Sequence, residues 1–193
     1  MRPRAEKLGA HAAVKGTLAD AHLAWAESRH PGARARLEAL LPGDCVGFVR
    51  TRLLATDWVS FRCLVAIDRG IAALVGGDPA RVFWELGHHS ALTNLGGVYK
   101  SFVAEEPHRF FQQMSLLHGR FQNFGSSAYV KTGDRSGRIR IVGYEEYSPV
   151  FCASGLGYYE GALKMMHVPG RPSVAEVECQ CAGDTACVYD LAW

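Results

Sequence analysis

The sequence predicts an α+β domain: N-terminal helices packed on a C-terminal antiparallel four-stranded sheet with one crossover helix, in the order ββαββ. Three observations carry this. Up to Gly125 the apolar residues recur at helical spacing; beyond it two runs read as strands; and the final twenty residues, Val174–Trp193, hold two β-rich runs around a turn signal. No repeat, low-complexity tract or linker divides the chain. Residues 15–193 are therefore read as a single domain behind a flexible N-terminal arm over 1–14, where charge, Gly and Ala mix without a period.

In chain order, Leu18–Ser28 and Ala33–Leu41 read as short helices parted by His30-Pro31-Gly32 and ended by Pro42-Gly43, with Trp25, Leu37 and Leu40 inward. Asp57 is expected to cap a longer helix with the stripe Leu64, Ile67, Ile71, Leu74, stopping at Gly76-Gly77. Asp78-Pro79 starts the next, since a proline at the first helical position loses no needed donor. Its stripe is Trp84, His88, Ala91, Leu95, Val98, Phe102, and the neighbouring row Gly87, Ser90, Asn94, Gly97, Ser101 is small or polar, open to close approach by another element or a ligand. Pro107 opens a helix with Phe110, Met114, Leu117, Phe121 and Phe124 on one face. These two helices are the expected walls of an internal cavity.

Strands are then expected at Ser127–Thr132 and Arg138–Tyr144, joined by a turn-rich loop. Ser148-Pro149 starts a helix running to about Met166. Gly155-Leu156-Gly157 and Gly161 sit inside that helix rather than after a strand, so they are read as a close helix–helix contact and not as a dinucleotide loop.

A chain of 193 residues with 48% apolar content builds a full core without help from a metal. The net charge of +2 without a long basic run argues against nucleic acid as partner. No secretory signal or membrane-length apolar run is visible, so the expected location is the cytoplasm, with no membrane partner. In a reducing compartment the six cysteines are read as core residues or metal ligands rather than disulfides. Four of them fall at or after Cys152, which favours a local site.

Pairing symmetric about Gly183 would set Cys179 opposite Cys187; Glu176 lies three residues before Cys179, and Cys152 falls in the first turn of the Ser148-Pro149 helix. Three thiols and a carboxylate make a closed four-coordinate zinc site, structural because no position stays open. Regular strand geometry opposes this, because residues three apart point to opposite faces unless a bulge intervenes. The competing reading, small buried cysteines with Glu176 in solvent, stays open. His88, with Trp84, Phe121 and Tyr129 as aromatic walls, and His118 beside the second stripe are candidates to line a ligand pocket. Each is more readily read as a core histidine bonded to backbone. No local motif gives any of them a catalytic partner.

The segment EVECQCAGDTAC resembles the end of the 4-vinyl reductase type domain, and FCASGLGYYEGAL resembles that family's upstream cysteine followed by a glycine-containing helix. The resemblance implies zinc held by Cys152, Glu176, Cys179 and Cys187, and, by analogy with phenol-sensing members, a small hydrophobic or aromatic ligand. Length and the opening VKGTL also resemble an uncharacterised paralogous family abundant in myxobacteria. The wider superfamily, which includes haem nitric-oxide sensors and vesicle-tethering (transport-particle) subunits, implies helices packed on an antiparallel sheet. Haem itself is not expected: Cys-x-x-Cys-His and the sensors' Tyr-x-Ser-x-Arg are both missing. The function implied is a non-catalytic small-molecule-binding or sensory domain with a structural zinc, dimeric and acting through a partner protein. A ligand-free scaffold module and an enzyme or accessory factor of pigment metabolism are the alternatives, and an apolar pocket reaching His88 or His118 would favour the first reading.

Overall fold

Three of the helices around the interior start the same way. In the computed structural model, which describes residues 4–103 and 106–193, proline occupies the first position of α5 (Pro79–Gly96), α6 (Pro107–Leu116) and α7 (Pro149–Met165). Asp78, Glu106 and Ser148 precede them, and each side chain accepts an amide of the first turn. The other helices are α1 (Gly16–Arg29), α2 (Ala33–Glu38), α3 (Val46–Arg50) and α4 (Phe61–Val75).

α5 and α7 cross with their backbones touching. A Cβ on Gly87 would overlap the Ser154 carbonyl, one on Gly157 the Trp84 carbonyl, and one on Gly161 would lie 2.9 Å from the His88 carbonyl oxygen. Glycines are used here because no side chain fits between the two helices. This is the close approach that the small row on α5 and the glycines of α7 signal in the sequence.

A two-stranded ribbon joins β1 (Ala13–Lys15) and β2 (Trp58–Ser60). The main sheet contains β3 (Ser126–Gly133), β4 (Ser136–Val142), β5 (Ser173–Glu178) and β6 (Cys187–Ala192), all antiparallel in the order β3-β4-β6-β5. α7 carries the chain from β4 to the edge strand β5, and β6 returns between them, which is the ββαββ arrangement read from the sequence. Ile139 and Ile141 of β4 and Tyr189 and Leu191 of β6 face inward beneath α6 and α7. A second core, with Leu23, Trp25, Leu37, Ile67 and Leu86, fills the space among α1, α2, α4 and α5.

Several expectations are corrected. Asp57 does not cap α4: its carboxylate accepts the Leu54 amide, and α4 starts at Phe61, whose amide bonds to the Ala12 carbonyl instead. Leu40 is 55% exposed, beyond the end of α2. α5 stops at Gly96, leaving Val98 exposed, and α6 stops at Leu116, so Leu117 precedes and Phe121 and Phe124 follow a 3-10 turn at His118–Arg120. Cys45 and Cys63 form a disulfide that ties the start of α3 to the first turn of α4, against the expectation of unbridged cysteines. The other four cysteines are free and buried.

The segment expected as a flexible arm is fastened along its described part, residues 1–3 lying outside the described residues. Ala5 donates to the Cys181 carbonyl at 2.6 Å, Lys7 and Tyr147 exchange backbone bonds at 2.9 and 2.8 Å, and the amides of His11 and Ala12 donate to Glu146 Oε1. Strand-like pairing satisfies this backbone despite its composition. Among the described residues, no helix is long and apolar enough to cross a membrane.

Candidate functional site

A cavity of about 130 Å³ lies between α6, α7 and the inner face of the sheet. Phe110 and Phe111 come from α6, Ile139 and Ile141 from β4, Tyr158 and Tyr159 from α7, and Tyr189 from β6. The polar groups in this apolar wall include five phenols. Tyr144 donates to Gln122 at 2.8 Å, and the Tyr99 hydroxyl pairs with Thr17 at 3.1 Å. The hydroxyls of Tyr158, Tyr159 and Tyr189 have no hydrogen-bond partner among the described residues. Burial pushes all three, and Tyr144, above the ordinary phenol pKa, so they are neutral donors and acceptors.

Of the sequence-derived pocket residues, His118 and Phe121 line this cavity. His118 Nε2 donates to the Phe124 carbonyl at 3.0 Å, which leaves Nδ1 as the lone-pair nitrogen, and burial lowers its pKa, so the ring is neutral at pH 7. Trp84, His88 and Tyr129 do not line it. The face of α5 carrying Trp84 and His88 turns away from the cavity: their rings stack at 4.9 Å, and Lys164 Nζ sits 3.2 Å from His88. Trp84 borders an outer groove with Phe83 and Leu156. Tyr129 donates to His108 Nδ1 at 2.6 Å, and His108 Nε2 donates to the Asp134 carbonyl at 3.0 Å, so that hydroxyl is already used. The residues that sequence reasoning missed are the tyrosines; the adjacent Tyr158-Tyr159 pair beside Gly157 was the one available signal.

The second feature is a sulfur cluster. A register shift between Glu176 and Glu178 marks a bulge in β5, the irregularity that strand geometry demanded. It brings Glu176 to the side of Cys179, and one ligand atom each from Cys152, Glu176, Cys179 and Cys187 lies within 4.8 Å of all the others. The Cys152 and Cys179 sulfurs are 3.6 Å apart, and Cys181 adds a fifth donor 3.8 Å from Cys152. Asp184 braces the turn by accepting the Cys179 amide at 2.8 Å. Glu176 Oε2 accepts from Arg4 at 2.7 Å, whereas Oε1 is buried without a hydrogen-bond partner. Burial first, then the neighbouring Cys179 thiol, pushes the Glu176 carboxyl up to about 7 against the opposing pull of Arg4. An orphaned carboxylate oxygen beside three thiols is a donor set that fits a thiophilic cation. Cys152 belongs to this cluster and also lines the cavity, so the two features share a wall.

No family model and no curated protein matches the chain. Solved structures do match in fold. An oxygen-binding H-NOX domain related to soluble guanylate cyclases superposes with a TM-score of 0.68 at 14% identity, covering 92% of this chain and 94% of that one. An H-NOX structure from work on haem distortion in that family gives 0.69 at 15%, covering 93% and 94%. An unliganded Fe(II) H-NOX protein from K. algicida gives 0.68 at 9%, covering 92% and 95%. The chain therefore has the fold of H-NOX (haem-NO-binding) domains, as the mixed α and β reading implied.

These neighbours correct the expectation of zinc as the cofactor: the group that solved domains of this fold carry is haem. Haem must be tested against the residues present. His118, which lines the cavity and keeps a lone pair on Nδ1, would be the residue to hold haem iron. The cavity is small, however, because pockets for drug-sized ligands enclose about 300–1,000 Å³. Among the described residues, Lys15 is the one Lys or Arg side chain lining it, and two propionates would have to share it. A porphyrin does not fit the cavity in this shape, and a more compact molecule does.

Proposed function

We propose that the chain is a sensory, ligand-binding domain built on the H-NOX fold, taking a compact uncharged hydrophobic or aromatic molecule into the cavity beside His118. The observation that carries this is an apolar cavity whose wall holds three phenol hydroxyls without protein partners. A ligand with one or two hydrogen-bonding atoms can pair with these hydroxyls while its body meets Phe110, Phe111, Ile139 and Ile141. Transmission to a partner protein and association as a homodimer belong to the same reading; light scattering tests the dimer. The collapsed-core scaffold is disfavoured by the cavity itself.

The test is thermal denaturation of the full chain with benzyl alcohol and indole as probes, against a Met114→Trp variant that fills the cavity. A probe at one hundred times its dissociation constant should stabilise the wild type by about 2.7 kcal/mol and leave the variant unmoved. Equal effects on both proteins would place binding elsewhere and remove this reading.

Within the same domain, we propose that Cys152, Glu176, Cys179 and Cys187 hold a thiophilic metal ion that ties the β5–β6 hairpin to α7. The 4-vinyl reductase resemblance and the orphaned Glu176 oxygen support it. Metal analysis of untagged protein should give near-stoichiometric metal, lost in both Cys152→Ser and Cys179→Ser; metal-free wild type under reducing conditions would leave these cysteines as core residues.

A further inference from the structure

We propose that the amino-terminal strap is part of the thiol–carboxylate cluster, with Arg4 as a positioning residue that the loaded cluster needs, so that metal occupancy and docking of the strap are linked. The inference rests on reading the cluster as a metal site and adds its regulation.

Three thiolates and a carboxylate exceed a divalent cation by two negative charges, and the cluster is buried: Cys152, Cys179 and Cys187 are almost wholly so, and the Glu176 side chain is 5% exposed. Excess charge held away from water requires a partner. Arg4 supplies the guanidinium in direct contact with this donor set, bonded to Glu176 Oε2 at 2.7 Å. That contact also fixes direction. With Oε2 held by Arg4, the carboxylate can offer only Oε1 to the thiols, which is the oxygen left without a hydrogen-bond partner. Carboxylates that bind metals are commonly oriented by such an outer hydrogen bond.

Arg4 is carried to this place by backbone, not by chance contact of a long side chain. The next residue, Ala5, donates to the carbonyl of Cys181, inside the turn that follows Cys179. Glu6 then accepts from Ser148, the residue capping the helix that bears Cys152, and from Arg69. The strap thus touches both elements that supply ligands, the hairpin and α7. Its anchors further on, the Lys7–Tyr147 pairing and Glu146, do not involve the cluster. Loss of Arg4 therefore leaves the strap held elsewhere, and the effect is read at the metal. By reciprocity, a metal that binds more tightly with the strap in place must hold the strap more tightly when bound.

The experiment uses the full reduced chain and cobalt(II), whose thiolate complexes absorb in the near-ultraviolet, titrated in competition with a chelator. Arg4→Ala should weaken cobalt binding by about 10- to 100-fold, the usual cost of removing an outer hydrogen bond to a ligand, and Arg4→Lys by less because the charge remains. Arg69→Ala, which loosens the same strap at Glu6 without touching the cluster, should weaken cobalt binding by less than Arg4→Ala does. Amide exchange across residues 4–8 should slow on cobalt loading in the wild type and much less in Arg4→Ala. Equal cobalt affinity in wild type and Arg4→Ala, or strap exchange indifferent to cobalt, overturns the linkage while leaving the metal site standing. Absence of cobalt binding to the wild type would overturn the site and the linkage with it.

Discussion

Gly157 shows how much of this molecule depends on single residues. Its hydrogen faces the Trp84 carbonyl across the α5–α7 crossing, so Gly157→Ala must push the helices apart or bend one of them. Overpacking in a close-packed interior costs about 1–3 kcal/mol, and here the obstacle is backbone, which cannot rotate away. Chemical denaturation should put Gly157→Ala at the top of that range, with Gly155→Ala, whose neighbour is the Tyr189 hydroxyl at 3.4 Å, near neutral; similar values for the two would refute the crossing. The four cluster residues were legible at this scale because Cys and Glu spacing survives without knowledge of the fold. The bulge that makes them converge was not, since it leaves no residue-type signature in Glu176-Val177-Glu178. Tyr158, Tyr159 and Tyr189 went unread for a related reason: a tyrosine in a helix or strand looks the same whether its hydroxyl meets solvent, backbone or a cavity.

Among the elements, the strap over the β5–β6 hairpin is the least expected. Its sequence looks loose because it has no apolar period, yet its amides find partners that composition cannot reveal. Glu146 is the main anchor. Burial works against its carboxylate, but the amides of Ala12, Gly9 and His11 outweigh that and hold its pKa below the ordinary range. Because the folded pKa lies below the unfolded one, this stabilisation is fully present above the ordinary carboxylate value of about 4.3 and is lost as pH falls through the folded value. Glu146→Ala should cost about 1–3 kcal/mol at neutral pH, where several amides lose their acceptor, and the gap to wild type should close in acid. A pH-independent difference between the two proteins would remove the carboxylate from this role. The helices, by contrast, were largely legible: proline after Asp, Glu or Ser set three starts. Their ends were less so, because Val98 and Phe121 continue an apolar spacing after the backbone has left the helix.

For the whole molecule, the order of helices and strands was readable from the change of period at Gly125, whereas the disulfide between Cys45 and Cys63 depends on contacts distant in sequence. The fold places a helix-walled aromatic cavity and a thiol–carboxylate cluster on either side of Cys152. A molecule in the cavity would therefore touch a residue of the cluster. Occupancy of the cavity by a compact ligand is the claim on which the rest depends. The measurement that tests it most directly is nuclear Overhauser contact between benzyl alcohol and the full chain with labelled methyl groups. Contacts to Ile139, Ile141 and Met114, absent in Met114→Trp, are the expected result. Contacts confined to surface methyls would contradict it. So would a stoichiometric haem complex abolished by His118→Ala, because the cavity would then open far enough to hold a porphyrin.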